Sequence, residues 1–278
     1  MQVARTLPEL RAATAALRAR HGALALVPTM GALHAGHRAL VLAAVASGAA
    51  TVASIFVNPL QFGANEDLSR YPRDEDGDLA ALRASGCALV WMPGVETMYP
   101  PGGATTIEPT GAAENWEGMA RPGHFRGVAT VCAKLFGQVR ADRAYFGEKD
   151  WQQLQVVTRM AADLHLPLEI VPVETVRESD GLAMSSRNRF LSAEERGRAP
   201  LLYAAMTAAA TELAAGADAA APLAAARQSL TAAGFDVDYL ALVDGPSLRE
   251  IPRAAPDCRL IAAARLGTVR LLDNRGIG

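Results

Sequence analysis

Short apolar runs alternate with helix-periodic segments between residues 23 and 173, and this order constrains the fold more than any other feature of the chain. Ala23–Val27 is a run ending at Pro28, and Gly36–Ser47 has the spacing of a helix with one apolar face. Thr51–Val57 is β-branched and apolar, as a strand covered on both faces requires. Glu75–Ser85, Val128–Val139 and Asp150–Leu164 read as helices. Cys87–Met92, Ala144–Phe146 and Leu168–Val173 read as strands. Strands in alternation with helices predict an α/β fold built on a parallel, doubly wound sheet.

The texture changes after Thr175. Ser192–Ala215 and Ala221–Ala233 are alanine-rich helical stretches separated by Gly216-Ala217-Asp218. Asp236–Val243, Arg259–Ala264 and Thr268–Leu272 have strand character. The expected division is a domain over residues 1–175 and a smaller α+β domain over residues 176–278.

Several classes are disfavoured at once. A net charge of −2, with both signs mixed along the chain, leaves no basic stripe for nucleic acid and no polybasic segment for a membrane surface. The uncharged stretch from Ala39 to Asn65 is as long as a membrane span, but Ser47-Gly48 interrupts it and Asn58-Pro59 ends its apolar part. A buried helix, a turn and a buried strand account for it. Met1–Leu17 carries Arg5, Glu9 and Arg11 and does not read as a secretory signal. The 3 cysteines, Cys87, Cys132 and Cys258, are far apart and lack a CxxC pattern, which points to a reducing compartment rather than to disulfides or zinc.

Five segments carry chemistry. Pro28-Thr29-Met30-Gly31-Ala32-Leu33-His34-Ala35-Gly36-His37 follows the first strand and opens the first helix. A helix N-terminus there offers unpaired N–H groups and a positive dipole end to a phosphate. His34 and His37, three apart, fall on one side of a helical turn. Phe56-Val57-Asn58-Pro59-Leu60-Gln61-Phe62-Gly63 lies just past the second strand, where open parallel sheets bind ligands. Asn58 and Gln61 there can hold hydroxyls or a carboxylate, or Asn58 can simply form a turn. Arg121-Pro122-Gly123-His124-Phe125-Arg126-Gly127 is either an anion site or a solvated loop. Phe146-Gly147-Glu148-Lys149-Asp150 sits at a strand-to-helix turn. Of 27 Lys and Arg residues only Lys134 and Lys149 are lysine, so a compact ammonium is retained there in a chain that otherwise uses arginine. Lys134 reads as structural, a snorkelling side chain on an apolar helix. Met184-Ser185-Ser186-Arg187-Asn188, after Asp180-Gly181, is either a donor cluster for phosphate oxygens or a serine cap.

HxGH with a downstream Ser-Ser-Arg resembles the nucleotidyltransferase superfamily, and the five segments together resemble the pantothenate synthetase (pantoate–β-alanine ligase) family. That resemblance implies a Rossmann-like first domain, a second domain acting as a lid, a homodimer in the cytoplasm, and ATP with Mg2+. It implies two steps: (R)-pantoate and ATP give pantoyl-adenylate and pyrophosphate, and β-alanine then displaces AMP. It also implies the site. Met30, Gly31, Ala32, Leu33, His34, Ala35, Gly36 and His37 would contact ATP, with His37 as the catalytic histidine. Gly147, Glu148, Lys149, Asp150, Val176, Met184, Ser185, Ser186 and Arg187 would complete that site. Gln61 and Gln153 would hold pantoate, Asn58, Arg121 and His124 would line the substrate site, and Asp78 in the acidic run Asp74–Asp78 would face Mg2+.

The residues suggest a mechanism. A carboxylic acid with a pKa of about 4 is already an anion at neutral pH and needs no base to attack phosphorus. The obstacle is repulsion by the triphosphate, so cationic and N–H groups should converge on it. Lys149 and His37 would stabilise the α-phosphate, while His34 and Ser185–Arg187 would hold the leaving pyrophosphate. The alternatives are a nucleotidyltransferase releasing no AMP, an ADP-forming ligase and a non-catalytic nucleotide binder. A tRNA synthetase is disfavoured by the short chain and the missing basic surface.

Overall fold

The computed structural model describes residues 1–63 and 68–277. Ala64 and Asn65, which close the long uncharged stretch, therefore lie outside the described residues. The helices are α1 (Leu7–His21), α2 (Ala35–Ala46), α3 (Glu75–Ala84), α4 (Val95–Met98), α5 (Glu117–Ala120), α6 (His124–Val139), α7 (Trp151–Asp163), α8 (Ala193–Arg198), α9 (Leu201–Ala214) and α10 (Ala220–Ala232). The strands are β1 (Gln2–Ala4), β2 (Leu24–Thr29), β3 (Ala50–Ile55), β4 (Leu89–Trp91), β5 (Arg143–Gly147), β6 (Glu169–Val173), β7 (Phe235–Asp244), β8 (Cys258–Leu266) and β9 (Val269–Gly276).

Two compact units form. The first comprises Met1–Gly147 and Gln153–Val173, the second Glu148–Gln152 and Glu174–Gly278. In the first, six parallel strands run in the order β1-β4-β3-β2-β5-β6, the doubly wound α/β sheet that the alternation predicts. From β2 the chain builds outward through β3 and β4 on one side and through β5 and β6 on the other. The order therefore reverses between β2 and β5, which is where such sheets bind ligands beyond their strand ends. Leu24, Ala25, Leu26 and Val27 are all buried, as are Val52 and Ala53, because helices cover both faces. Pro28 continues the strand despite its missing N–H, since the ladder to β5 ends at Leu26.

The second unit packs α9 and α10 on the antiparallel sheet β7-β8-β9. Leu240 and Leu242, with Leu260, Ala262, Ala264 and Leu266, join the helix-facing core as alternate residues of their strands, and Ala241, Val243, Ile261 and Ala263 between them are buried as well. The boundaries differ from the expected 1–175 and 176–278. Glu148–Gln152 groups with the later segment because the side chain of Asn274 binds the carbonyls of Glu148 and Lys149.

Other differences have local causes. The apolar patterning does not predict β1 or α1. Yet Thr6 and Glu9 form a reciprocal capping box with a proline in the first turn, a signal legible in the sequence. Ser192–Ala215 is two helices rather than one, interrupted before Leu201 by Pro200, which cannot donate into a helix. α6 begins at His124 rather than at the expected Val128, and takes in the later part of the Arg121–Gly127 segment. β9 runs on to Gly276, beyond the expected Leu272.

Candidate active site

In the first unit the loop after β2 is held from three directions. The Thr29 hydroxyl donates to the Ser54 carbonyl at 2.7 Å and accepts from the Gly31 N–H at 3.2 Å. Gly31 turns the chain with φ of +82°, a conformation that glycine adopts without a Cβ penalty. Asp78, buried at the start of α3, accepts from the Ala32 N–H at 2.9 Å and from the Leu33 N–H at 2.7 Å, one on each oxygen.

His34 caps α2. Its Nδ1 accepts from the Gly36 N–H at 3.1 Å, while the His37 Nδ1 accepts from the His34 N–H at 3.4 Å. A ring nitrogen that accepts carries no proton, so each neutral imidazole has its N–H on Nε2. The two rings stand 4.0 Å apart between centroids. The spacing of HxGH thus becomes a pair of adjacent imidazole donors at a helix N-terminus, next to the strand where the sheet order reverses.

Met30 and Gln61 meet directly, with Gln61 Nε2 donating to the Met30 sulfur at 3.2 Å. The Gln61 carbonyl accepts from His124 Nδ1 at 2.9 Å and from Arg121 at 3.4 Å. Arg121 also contacts His124 Nε2 at 3.1 Å. A guanidinium only donates, so Nε2 accepts and the His124 proton sits on Nδ1. The Arg121–Gly127 segment is therefore no solvated loop; its Arg and His brace Gln61. Gly127 is forced by the same packing, because a Cβ there would collide with the Leu60 carbonyl oxygen.

Two expected site residues have other tasks. Asn58 is fully buried: its Nδ2 donates to Gln61 Oε1 at 3.0 Å and to the Gly127 carbonyl at 3.1 Å. Its Oδ1 accepts from the Leu60 N–H at 3.3 Å and from the Tyr99 hydroxyl at 2.7 Å. All four of its hydrogen-bonding positions are filled from within the protein, so Asn58 shapes the Gln61 turn rather than lining a substrate site. Burial pushes the Tyr99 phenol well above its ordinary range, which keeps it a donor. Asp78 is the second of the two: each of its oxygens accepts a loop N–H, so it holds the HxGH turn. Lys134 lies 5.5 Å from the centre of the Tyr99 ring, in keeping with its structural reading. Gln153, half-buried, opens the first-unit portion of α7.

The second unit carries the remaining candidates. An antiparallel bridge between Arg177 and Ala183, with the Met184 N–H donating to the Val176 carbonyl at 3.0 Å, brings Val176 beside the Ser-Ser-Arg run. Ser185 accepts from the Arg187 N–H at 3.2 Å, so it is a cap, and its own hydroxyl proton remains a donor. Lys149, Ser185, Arg187, Asn188 and Asp273 line one pocket. This grouping joins two motifs that are well separated along the chain. Lys149 Nζ lies 3.3 Å from the Asp150 carboxylate, and Glu148 pairs with Arg259 at 3.1 Å. Burial pushes the Arg259 guanidinium below its ordinary value, against the pull of Glu148. Nothing in the spacing of the sequence marks Asn274, Asp78 or Tyr99 for these positions, since each acts through a contact distant along the chain.

A doubly wound parallel sheet with a histidine-capped helix at its reversal point places the protein among the α/β proteins that bind ligands beyond their strand ends, and its HxGH turn resembles that of the nucleotidyltransferase superfamily. The model of the pantoate–β-alanine ligase family matches residues 2–276, and the chain belongs to that family. It is 60% identical to a pantothenate synthetase of Acidiphilium cryptum, over 98% of this chain and 99% of that protein. It is 58% identical to one of Granulibacter bethesdensis, over 99% of this chain and 97% of that protein. The crystal structure of pantothenate synthetase from Thermus thermophilus superposes with a TM-score of 0.94 at 48% identity, covering 100% of this chain and 99% of that one. A pantoate–β-alanine ligase from Francisella tularensis, complexed with beta-gamma ATP and β-alanine, gives 0.83 at 29% identity, over 99% of this chain and 97% of that one.

Proposed function

We propose that this chain condenses (R)-pantoate with β-alanine using ATP, releasing AMP and pyrophosphate through a pantoyl-adenylate. The observation that carries the reading is the grouping of Lys149 with Ser185 and Arg187 around one pocket, in a chain that matches the ligase family along its length.

In the first step a pantoate carboxylate oxygen bonds to the α-phosphorus and the bond from that phosphorus to the bridging oxygen breaks, so pyrophosphate leaves with the electron pair. Lys149 and the Nε2–H of His37 stabilise the charge gathering on the α-phosphate, while His34, Ser185, Ser186 and Arg187 hold the departing pyrophosphate. Met30 to Gly36, Gly147, Glu148, Asp150, Val176 and Met184 shape the rest of the ATP site. Gln61 and Gln153 orient pantoate. In the second step the neutral amine of β-alanine bonds to the acyl carbon, AMP leaves, and the amine proton passes to solvent. The buried thiols of Cys87, Cys132 and Cys258 form no covalent intermediate.

Mg2+ belongs to this reading as part of the ATP substrate. Asp78 is carried in this reading as a candidate to face the ion while its oxygens also hold the loop, and no step is assigned to the ion. The cytoplasmic homodimer is carried forward in the same reading. No described helix is long and apolar enough to cross a membrane.

Product analysis tests the proposal. The protein is mixed with ATP, Mg2+, pantoate and β-alanine, and each acid is omitted in turn. AMP and pantothenate should form only with both acids, and pantoate alone should drive exchange of pyrophosphate into ATP. A folded protein that binds ATP and releases no AMP would refute the ligase reading, and ADP in place of AMP would indicate a different phosphoryl chemistry.

A further inference from the structure

The segment that carries Lys149 is held by a side chain from the far end of the chain. Asn274 on β9 is 4% exposed, and its Nδ2 donates to the carbonyls of Glu148 and Lys149, each at 2.8 Å. Its Oδ1 accepts from the Arg259 guanidinium. The orientation of this amide is over-determined: carbonyls only accept and a guanidinium only donates, so Nδ2 must face the first and Oδ1 the second. Arg259 also pairs with the Glu148 carboxylate at 3.1 Å and stacks 3.5 Å from the Trp151 ring, whose Nε1 donates to the Gly245 carbonyl at 2.8 Å. One position further back, Asp273 takes both Arg177 nitrogens, at 2.7 and 2.8 Å, and accepts from the Asn274 N–H at 2.7 Å. Asn274 is thus fixed on its own main chain and on both ends of its amide.

We propose that Asn274 is a positioning residue for Lys149, setting where the ammonium stands in the pocket it shares with Ser185 and Arg187. The chemistry of the two carbonyls demands an amide. Aspartate has no donor to offer them, serine has a single proton, and alanine leaves both carbonyls and the Arg259 guanidinium without this partner. A misplacement of about 1 Å is enough to cost up to about 100-fold in rate when a group must meet a transition state. The inference rests on the reading of Lys149 as a phosphate contact.

A double-mutant cycle separates positioning from mere stabilisation. The rate of pantoyl-adenylate formation is measured in single turnovers at saturating ATP and pantoate for wild type, Lys149→Ala, Asn274→Asp, Asn274→Ala and the two double variants. Asn274→Asp keeps the shape of the side chain and an oxygen for Arg259 but turns a second oxygen on the two carbonyls, while Asn274→Ala removes the amide without adding charge. The two variants therefore fail differently, and thermal melts show which is folded before its rate is read. Each Asn274 variant should slow adenylation by about 10- to 100-fold with KM for pantoate little changed. In the Lys149→Ala background the same substitution should cost no further rate. Additive losses, or Asn274 variants at the wild-type rate beside a crippled Lys149→Ala, would overturn the positioning role and leave the lysine reading intact. A wild-type rate in Lys149→Ala would instead sink the lysine reading and this inference with it.

Discussion

A Cβ placed on Gly31 would stand 2.7 Å from Oδ2 of Asp78, inside any real contact distance. The two residues are a matched pair: the glycine lets the chain turn at positive φ, and the buried carboxylate gathers the N–H groups that the turn exposes. Asp78→Asn exchanges one accepting oxygen for an amide NH2 that faces an N–H, donor against donor. It should destabilise the first unit by about 1–3 kcal/mol and raise KM for ATP, because Ala32 and Leu33 lead into the HxGH turn. Gly31→Ala should do both more severely, since strain at φ of +82° adds to the clash. Thermal unfolding and initial-rate kinetics on the two variants check this, and an unchanged KM for ATP in a folded Asp78→Asn would count against the link to the site.

Removing the ammonium of Lys149 should lower kcat by about 100-fold or more, by analogy with the loss of a single oxyanion donor. Lys149→Arg should restore only part of the loss, because a planar fork on a longer side chain does not reproduce a point contact. Steady-state kinetics at saturating ATP would decide it; a Lys149→Ala enzyme near the wild-type rate removes Lys149 from the mechanism.

Asn58→Ala strips four hydrogen bonds from a fully buried position. The Tyr99 hydroxyl loses its acceptor and the Gly127 carbonyl loses one of its two donors, together costing about 1–3 kcal/mol. The melting temperature should fall by several degrees. Pantoate binding should weaken only as far as the Gln61 turn loosens. Calorimetry beside pantoate KM values tests this, and a stable Asn58→Ala enzyme with abolished pantoate binding would return Asn58 to the substrate site.

Alkaline pH should weaken the fold through its buried thiols. Burial pushes the Cys132 thiol from 9.0 to about 12, and raises Cys87 as well. Below pH 9.0 the Cys132 thiol keeps its proton in both the folded and unfolded states and stability is unaffected by it. Above that, the unfolded chain loses the proton while the folded chain retains it. Stability then falls as pH rises, by about 1.4 kcal/mol per pH unit for the one group, until the folded thiol also ionises. Cys132→Ala should flatten this limb in melting temperatures recorded from about pH 8 to 11, and an equally steep fall in the variant would assign the effect elsewhere.

The sheet class is legible in the residues alone, because strands buried on both faces leave unbroken apolar runs and helices leave a 3.6-residue period between them. The local devices are legible too, since a cap, an HxGH turn or a serine-arginine run completes its hydrogen bonds within a few residues. His34 and His37 are brought together by spacing alone, and Ser185 meets Arg187 in the same way. Pairings distant in sequence came from packing instead. Asp78 and Asn58 carry the chemistry of ligand contacts, and only the fold reveals that main-chain groups of Ala32, Leu33, Leu60 and Gly127 already occupy them. The assignment of Glu148–Gln152 to the second unit is of the same kind, since Asn274 reaches Glu148 and Lys149 from more than a hundred positions away. A buried polar group must find a partner, but its sequence neighbourhood does not say which one, because that choice is made by the packing that removes it from water.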